Sequence, residues 1–253
     1  MTDLAFYEFL LRVRPCQLAG ALKTCLRIGR QRVVTRTGHT FLVDPVSVLG
    51  IHLLRDGIHE AEMTNLLYTL LRPADTFLDV GGNEGYFSVL ASTLLPGGAV
   101  HCIEPQERLQ PVLSGNLEMN GSTQAVAHRT ALSDRVGKVN LFTRPSTNTG
   151  ASSLFRHWKF GAAREIVPTT TLDAFFEENG LRKVRLMKVD CEGAEHLVIA
   201  GGRSVLKRGC IDFIAMEYHA AISGDAQCRS THAKLTDAGY CLSDTPGPRV
   251  YHR

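Results

Sequence analysis

No two of the seven cysteines are spaced as Cys-x-x-Cys, and their number is odd. Both facts argue against a disulfide framework and against a structural zinc site. Free thiols fit a reducing compartment, so a cytoplasmic location is expected. Long apolar runs are missing as well. Nothing approaches the roughly 20 residues of a membrane span, and Asp3, Glu8, Arg12 and Arg14 interrupt the hydrophobic N-terminus, which makes it a poor signal peptide. Charge of one sign is scarce. A net charge of +3 over 253 residues provides no strong basic stripe of the kind a nucleic-acid surface needs, so no nucleic-acid partner is expected. Repeats, low-complexity tracts and Pro/Gly/Ser-rich linkers are also absent.

What is present is an ordinary globular composition, 44% hydrophobic and 21% charged, in a chain long enough for one large α/β domain. Leu4, Phe6, Phe9, Leu10 and Val13 fall on one face of a helix, expected to pack on its own domain rather than on a membrane surface. Two β-rich runs, 32–36 and 39–43, flank Thr37-Gly38 and predict a hairpin. Residues 60–71 carry apolar positions at helical spacing, stopped by Pro73.

From Thr76 the rhythm becomes strand, helix, strand, helix. Strands are predicted at 77–80, 99–103, 125–131, 184–189 and 211–216. An inserted pair is expected at 138–142 and 164–167, with a long loop, 143–163, between them. A helix is expected over 172–177, capped from Thr170 and Asp173, and another near 230–237, followed by short strands at 240–242 and 249–251. Alternation of this kind implies a parallel sheet with helices on both faces, and ligands bind at the carboxyl ends of such strands.

The first of those strand ends is Asp79, followed by Gly81-Gly82-Asn83-Glu84-Gly85. Glycines there let the backbone approach a ligand closely. The pattern lacks Gly-x-Gly-x-x-Gly, the loop that offers helix-terminal N–H groups to a dinucleotide pyrophosphate. This counts against an NAD-dependent oxidoreductase. An acid opening the loop suits a cofactor with an ammonium group, such as the methionine part of S-adenosylmethionine. Glu104, 25 positions after Asp79, stands where a carboxylate accepts hydrogen bonds from a ribose diol. Ser133 and Asp134 follow the third strand, and Asp134 is placed to accept from an adenine amino group.

At this point the chain resembles the FkbM family of S-adenosylmethionine-dependent methyltransferases. The resemblance is carried by Phe77-Leu-Asp-Val-Gly-Gly-Asn-Glu-Gly-Tyr-Phe-Ser88, Glu104-Pro105 with Asn116 and Asn120, Ala131-Leu-Ser-Asp134, Asn148-Thr-Gly-Ala-Ser-Ser-Leu154, Thr171-Leu-Asp173, and Met187-Lys-Val-Asp-Cys-Glu-Gly-Ala-Glu195. It runs in order from about Gly57 to Tyr240. It implies a Rossmann-like class I methyltransferase fold, α/β, with a seven-stranded, mostly parallel sheet whose last strand is antiparallel. It also implies methyl transfer, usually to a hydroxyl oxygen of a natural product or sugar. Residues 73–253 would then be the methyltransferase domain, and 1–72 a helical and hairpin extension packed on it. Gly82 stands where the family usually has Ala, and Glu84 and Cys191 where it has aliphatic residues.

Such a reaction needs the acceptor aligned and its proton removed. Asp190, at the end of the fourth core strand, is the first choice for orienting the acceptor, for accepting its proton or for touching the cofactor. Glu192 should lie at the same edge, while Glu195 and His196 fall on the next helix, where either could face solvent. His219 is a candidate base, with Glu217 a candidate to orient it. Asp190 and Glu217 would also suit a divalent ion, but the plainer role of such acids is bonding local backbone, and no metal ligand is assigned. The long polar loop from Asn148 to Trp158 is expected to be a lid or substrate wall, with His157 and Trp158 candidates to touch the acceptor. The expected cofactor set is therefore Asp79, Gly81, Asn83, Gly85, Glu104, Ser133, Asp134 and Asp190, and the catalytic set Asp190, His219 and Glu192. N-methylation or metal-assisted transfer on the same fold, and a non-catalytic scaffold, are the alternatives.

Overall fold

The computed structural model describes residues 3–14, 16–144, 146–155, 163–243 and 247–253. The chain begins with two helices, α1 (Asp3–Arg12) and α2 (Cys16–Cys25). Of the apolar face predicted for α1, Leu10 is buried, whereas Phe9 is exposed, so the helix seats only part of that face. The predicted hairpin forms from β1 (Gln31–Val34) and β2 (Thr40–Val43) around Gly38, which adopts φ +82°. Helix α3 (Val48–Asp56) follows, capped by the Ser47 side chain on Gly50 N–H and closed by left-handed Gly57. Helix α4 (Ala61–Leu70) comes next. No helix among the described residues is long and apolar enough to cross a membrane.

The central sheet starts with β3 (Thr76–Val80), α5 (Tyr86–Leu94), β4 (Ala99–Ile103), α6 (Gln110–Met119) and β5 (Ala125–His128). The predicted strand 125–131 is in fact divided. The ladder with β4 ends at His128, and the chain turns away so that β6 (Ala131–Leu132) joins a separate three-stranded sheet with β7 (Gly137–Thr143) and β8 (Ala163–Thr170). The expected inserted pair is thus β7 and β8, antiparallel as a hairpin requires.

Helix α7 (Leu172–Glu178) is capped by Thr171, whose hydroxyl accepts from Ala174 N–H. The expected caps, Thr170 and Asp173, do other work or none at this end. Asp173 reaches instead to the N–H groups of Ser204 and Val205. The chain continues through β9 (Val184–Val189), α8 (Glu195–Ala200), α9 (Arg203–Lys207), β10 (Ile211–Met216), α10 (Ala220–Ser223), α11 (Asp225–Asp237), β11 (Cys241–Ser243) and β12 (Arg249–His252). Helix α11 starts five residues before the predicted Ser230.

The seven-stranded sheet has the order β11-β12-β10-β9-β3-β4-β5. The strands β10, β9, β3, β4 and β5 are parallel, and β12 lies antiparallel between β10 and β11. Because side chains alternate across a strand, Phe77 and Leu186 pack on one face with α5, while Leu78, Val80, Met187 and Val189 pack on the other with α7 and α8. Both faces are covered, as a parallel sheet demands. The order reverses between β3 and β9, and registers place Val80 beside both Ile103 and Val189, and Val189 beside Met216. Four strands therefore end in a row, and the next residue of each is Gly81, Glu104, Asp190 or Glu217.

Candidate active site

That row opens into a cavity of about 200 Å³, at the switch point where open α/β sheets bind ligands. Gly81, Asn83, Glu104 and Gln106 line one end. Asp190, Glu192, Glu217 and His219 line the other.

At the first end, Gly81 has φ +85°, and a Cβ there would lie 1.8 Å from the Asp190 carbonyl oxygen. Only glycine permits the tips of β3 and β9 to come so close. Glu104 is buried. Its Oε2 accepts the Asn83 N–H at 3.0 Å and its Oε1 the Gln106 N–H at 2.9 Å. Burial pushes its carboxyl up to about 7, against the pull of those two backbone donors. Each oxygen keeps a lone pair, so the carboxylate is an acceptor fixed in place before a ligand arrives.

Asp79 does not line the cavity. It sits on the α5 face of the sheet, fully buried, with Oδ2 accepting from Ser88 Oγ at 2.7 Å and Oδ1 unpartnered among the described residues. Burial raises its carboxyl, against the nearby Lys188 charge and the Ser88 hydroxyl. Gly85 is also behind the surface. It starts α5 in a left-handed conformation, and a Cβ there would strike Leu113 at 2.5 Å. Ser133 and Asp134 lie one step past the lining, with Ser133 Oγ donating to Asp134 at 3.2 Å. The cavity wall in their vicinity is apolar: Ala131, Leu132, Leu141 and Ile103.

The two departures in the glycine loop each have a partner. A Cβ on Gly82 would lie 2.1 Å from Cys102 Sγ, so the thiol occupies the space a methyl would need. Glu84 turns away from the cavity and is buried in a two-pronged ion pair with Arg30, at 3.0 and 2.9 Å. Asn116 donates to the Glu84 carbonyl at 2.8 Å and accepts from Leu42 N–H, and Asn120 bonds both backbone groups of Thr40. These contacts fasten the N-terminal hairpin beneath the loop.

At the second end, Lys188 is almost fully buried, and its ammonium donates to Asp190 Oδ2 at 3.1 Å. Burial works against that charge, but Asp190, Asp79 and Glu60 together hold the ammonium's pKa above the usual lysine range. His219 Nδ1 lies 2.9 Å from Glu195 Oε1. Its Nε2 faces Glu192 at 3.6 Å, Asp190 at 3.8 Å and Glu217 at 3.9 Å. Glu217 therefore does not orient the ring through Nδ1; Glu195 does. Nor is Glu195 at the surface, since only 2% of its side chain is exposed. His196 is half-buried, bonded to the Gly193 carbonyl and stacked on Phe155. Donor atoms of Asp190, Glu192 and His219 lie within 4.8 Å of one another, as do those of Glu60, Asp190 and Glu217, and Lys188 and His219 bring positive charge of their own into that cluster.

Sequence reasoning missed two contributors, Gln106 and the N-terminal wall, whereas the long loop was expected beside the site. Gln106 is buried and ties the loop down, accepting from Ser152 Oγ at 3.1 Å and donating to the Thr149 carbonyl. Thr149, Gly150, Ser152 and Leu154 of the long loop line the cavity, while His157 and Trp158 lie outside the described residues. From the N-terminal part, Ser47, Val48, Leu49, His59 and Glu60 form a further wall. The Ser47 and Gly57 caps of α3 were a readable signal for that segment, but nothing in its pattern said that it reaches the cavity.

A model of the methyltransferase FkbM domain matches residues 79–242. The chain is similar to 2-O-methyltransferase NoeI of Sinorhizobium fredii (strain NBRC 101917 / NGR234), 29% identical over 167 residues, which cover 59% of this chain and 65% of that protein. It is also similar to 31-O-demethyl-FK506 methyltransferase FkbM of Streptomyces tacrolimicus, 27% identical over 164 residues, covering 52% of this chain and 60% of that one. The chain thus spans less than two thirds of the length of these curated relatives. Among solved structures, an O-methyltransferase from Bacillus cereus in complex with SAH is 12% identical at a TM-score of 0.45, covering 78% of this chain and 82% of that one.

Proposed function

Because the chain belongs to the methyltransferase FkbM domain family, we propose that it transfers a methyl group from S-adenosylmethionine to a hydroxyl oxygen of a small molecule or sugar. When bound, the cofactor supplies an electrophilic methyl carbon on a sulfonium. The donor set fits it. Glu104 offers a buried, prearranged carboxylate to the ribose hydroxyls, and the backbone of Gly81 and Asn83 allows close approach. The apolar wall of Ile103, Ala131, Leu132 and Leu141 suits an adenine ring, with Ser133 and Asp134 bounding its far edge. Asp79 and Gly85 act from behind, holding the loop in shape. Asp190, at the seam between β3 and β9, spans the cofactor and acceptor ends, where Glu192 and His219 complete the catalytic group.

The observation that carries this reading is one cavity with Glu104 at one end and Asp190, Glu192 and His219 at the other. Carboxylates at the acceptor end, Glu60 and Glu217 included, repel phosphate, which favours a neutral hydroxyl compound over nucleic acid. The six cysteines found free among the described residues are in keeping with a cytoplasmic location.

Isothermal titration with S-adenosylmethionine and its demethylated product tests the proposal. Both should bind, and Glu104→Ala should weaken binding by about 1–3 kcal/mol, the cost of leaving polar groups unpaired. Absence of heat for either compound at millimolar concentration would refute the reading.

A further inference from the structure

Among the described residues, five carboxylates line the cavity and a sixth, Glu195, bonds His219 in its wall; all but two of the six have an oxygen committed. Glu104 holds two backbone N–H groups. Asp190 holds the Lys188 ammonium. Glu60 pairs with His59 Nε2 at 3.1 Å. Glu195 takes three donors on a single oxygen: Gly193 N–H at 3.0 Å, Cys191 N–H at 3.3 Å and His219 Nδ1 at 2.9 Å. Of the remaining two, the Glu217 side chain is 54% exposed, whereas that of Glu192 is 19% exposed and lines the cavity. Glu192 accepts no hydrogen bond on its carboxylate among the described residues; its nearest cation is His219 Nε2, at 3.6 Å.

The backbone makes the same distinction. Glu192 is held at φ +50°, a left-handed conformation that costs a non-glycine residue about 1–2 kcal/mol. Ser153 Oγ donates to its carbonyl at 2.6 Å and fixes the turn. Gly193 follows at φ +96°, packed so that a Cβ would meet Ile222 at 2.6 Å. Strain maintained by its neighbours aims this side chain at the cavity.

We propose that Glu192 takes the proton from the acceptor hydroxyl, and that Glu195 is a positioning residue that holds His219 as an imidazolium against it. The proposal rests on the methyl-transfer reading above. In that step the acceptor's oxygen forms a bond to the methyl carbon while its O–H bond breaks. The proton passes to a Glu192 carboxylate oxygen, giving the neutral acid, and the electron pair of the broken carbon–sulfur bond stays on the cofactor's sulfur. Glu195 does not line the cavity and touches no substrate. An ionised carboxylate can only accept, so it fixes the proton on His219 Nδ1 and turns Nε2 towards Glu192, Asp190 and Glu217.

The electrostatics agree with this division. Burial opposes charge on His219, but the Glu195 hydrogen bond and the charges of Glu192, Glu195 and Asp190 outweigh it and raise the ring to about 9. Burial raises Glu192 to about 7, helped by Asp190, Glu217 and Glu195 and opposed by His219. Other charged or titratable groups beside the pair are Lys188 through Asp190, Cys191 in the turn, and Glu60, which clusters with Asp190 and Glu217. Between the two values Glu192 is an ionised base and His219 a cation, which matches a proton acceptor to neutral pH.

The test is an NMR titration of the full chain, free and with S-adenosylhomocysteine. The His219 ring is followed by nitrogen shifts, and Glu192 by its carboxyl carbon. His219 should titrate at about 9 and Glu192 at about 7. In Glu195→Gln, which keeps an acceptor oxygen but removes the charge, the His219 midpoint should fall below about 8, with S-adenosylhomocysteine affinity unchanged within about twofold. A His219 midpoint at or below its ordinary 6.5, or one unmoved in Glu195→Gln, overturns the role of Glu195. A Glu192 midpoint above about 8, which would leave it a neutral acid at neutral pH, overturns its role as base. If Glu195→Gln fails to fold, the wild-type midpoints still decide. Failure of S-adenosylhomocysteine to bind would sink the methyl-transfer reading, while titration of the free chain still judges the charge pairing.

Discussion

Two strand-to-helix turns meet at the centre of the sheet, and they handle charge in opposite ways. The turn from β3 to α5 and the turn from β9 to α8 leave neighbouring parallel strands, and each contains a left-handed non-glycine residue, Asn83 and Glu192 respectively. In the first, nearly every polar group has a fixed partner: Glu84 with Arg30, the Asn83 N–H with Glu104, and Asp79 with Ser88. In the second, Asp190, Glu192 and Glu195 are grouped around one imidazole that Glu217 also faces. Fixed neutral donors and paired ions make a rigid cradle, because moving any member strands a buried group. Like charges around a single titratable cation make a site whose protonation responds to a ligand. The first arrangement suits holding a molecule and the second suits moving a proton.

The largest effect is expected where the turns touch. Gly81→Ala would push a Cβ into the Asp190 carbonyl and add left-handed strain, so it should cost about 3–5 kcal/mol and abolish S-adenosylhomocysteine binding, as read by thermal melting and calorimetry. If the protein binds normally, the close contact of the turns is irrelevant to the site.

Next in size is the ion pair under the first turn. Arg30→Ala leaves the Glu84 carboxylate buried without its partner, which should cost about 3 kcal/mol and lower Tm by about 6–12 °C. Adding Glu84→Leu, the aliphatic type the family resemblance calls for, should restore most of that loss, because a packed apolar side chain replaces a buried pair at little cost. An Arg30→Ala protein with unchanged Tm would mean that the first turn is not held as described.

The smallest effect should come from Gly82→Ala, about 1–3 kcal/mol from the clash with Cys102 Sγ. Combined with Cys102→Ala it should be nearly neutral, and the double-mutant cycle measures the coupling. Additive losses would show that the two positions do not share that space.

Much of the architecture was legible because periodicity reports burial locally. The strands 99–103, 184–189 and 211–216 appear with the predicted bounds, each being an apolar run in a sheet covered on both faces. The division at His128 was not legible, since 125–131 reads as one run and only pairing with β8 pulls its end away. Helix α3 was overlooked although its caps were in plain sequence. At the site, Gly81, Glu104 and Asp190 could be placed because they follow strand ends. Glu195 could not, because whether a residue in the first turn of a helix is buried depends on what packs over it.

By itself, then, the sequence determined the order of the core strands, the glycine turn and the acids at the strand tips, since each depends on neighbours a few residues away. Only the tertiary structure decided that Asp79 faces α5 and not the cavity, that Glu84 answers Arg30 across 54 residues, that the segment around His59 walls the site, and that Glu195 holds His219. Those outcomes depend on which face of the sheet a side chain emerges from and what crosses over it, and long-range packing sets both.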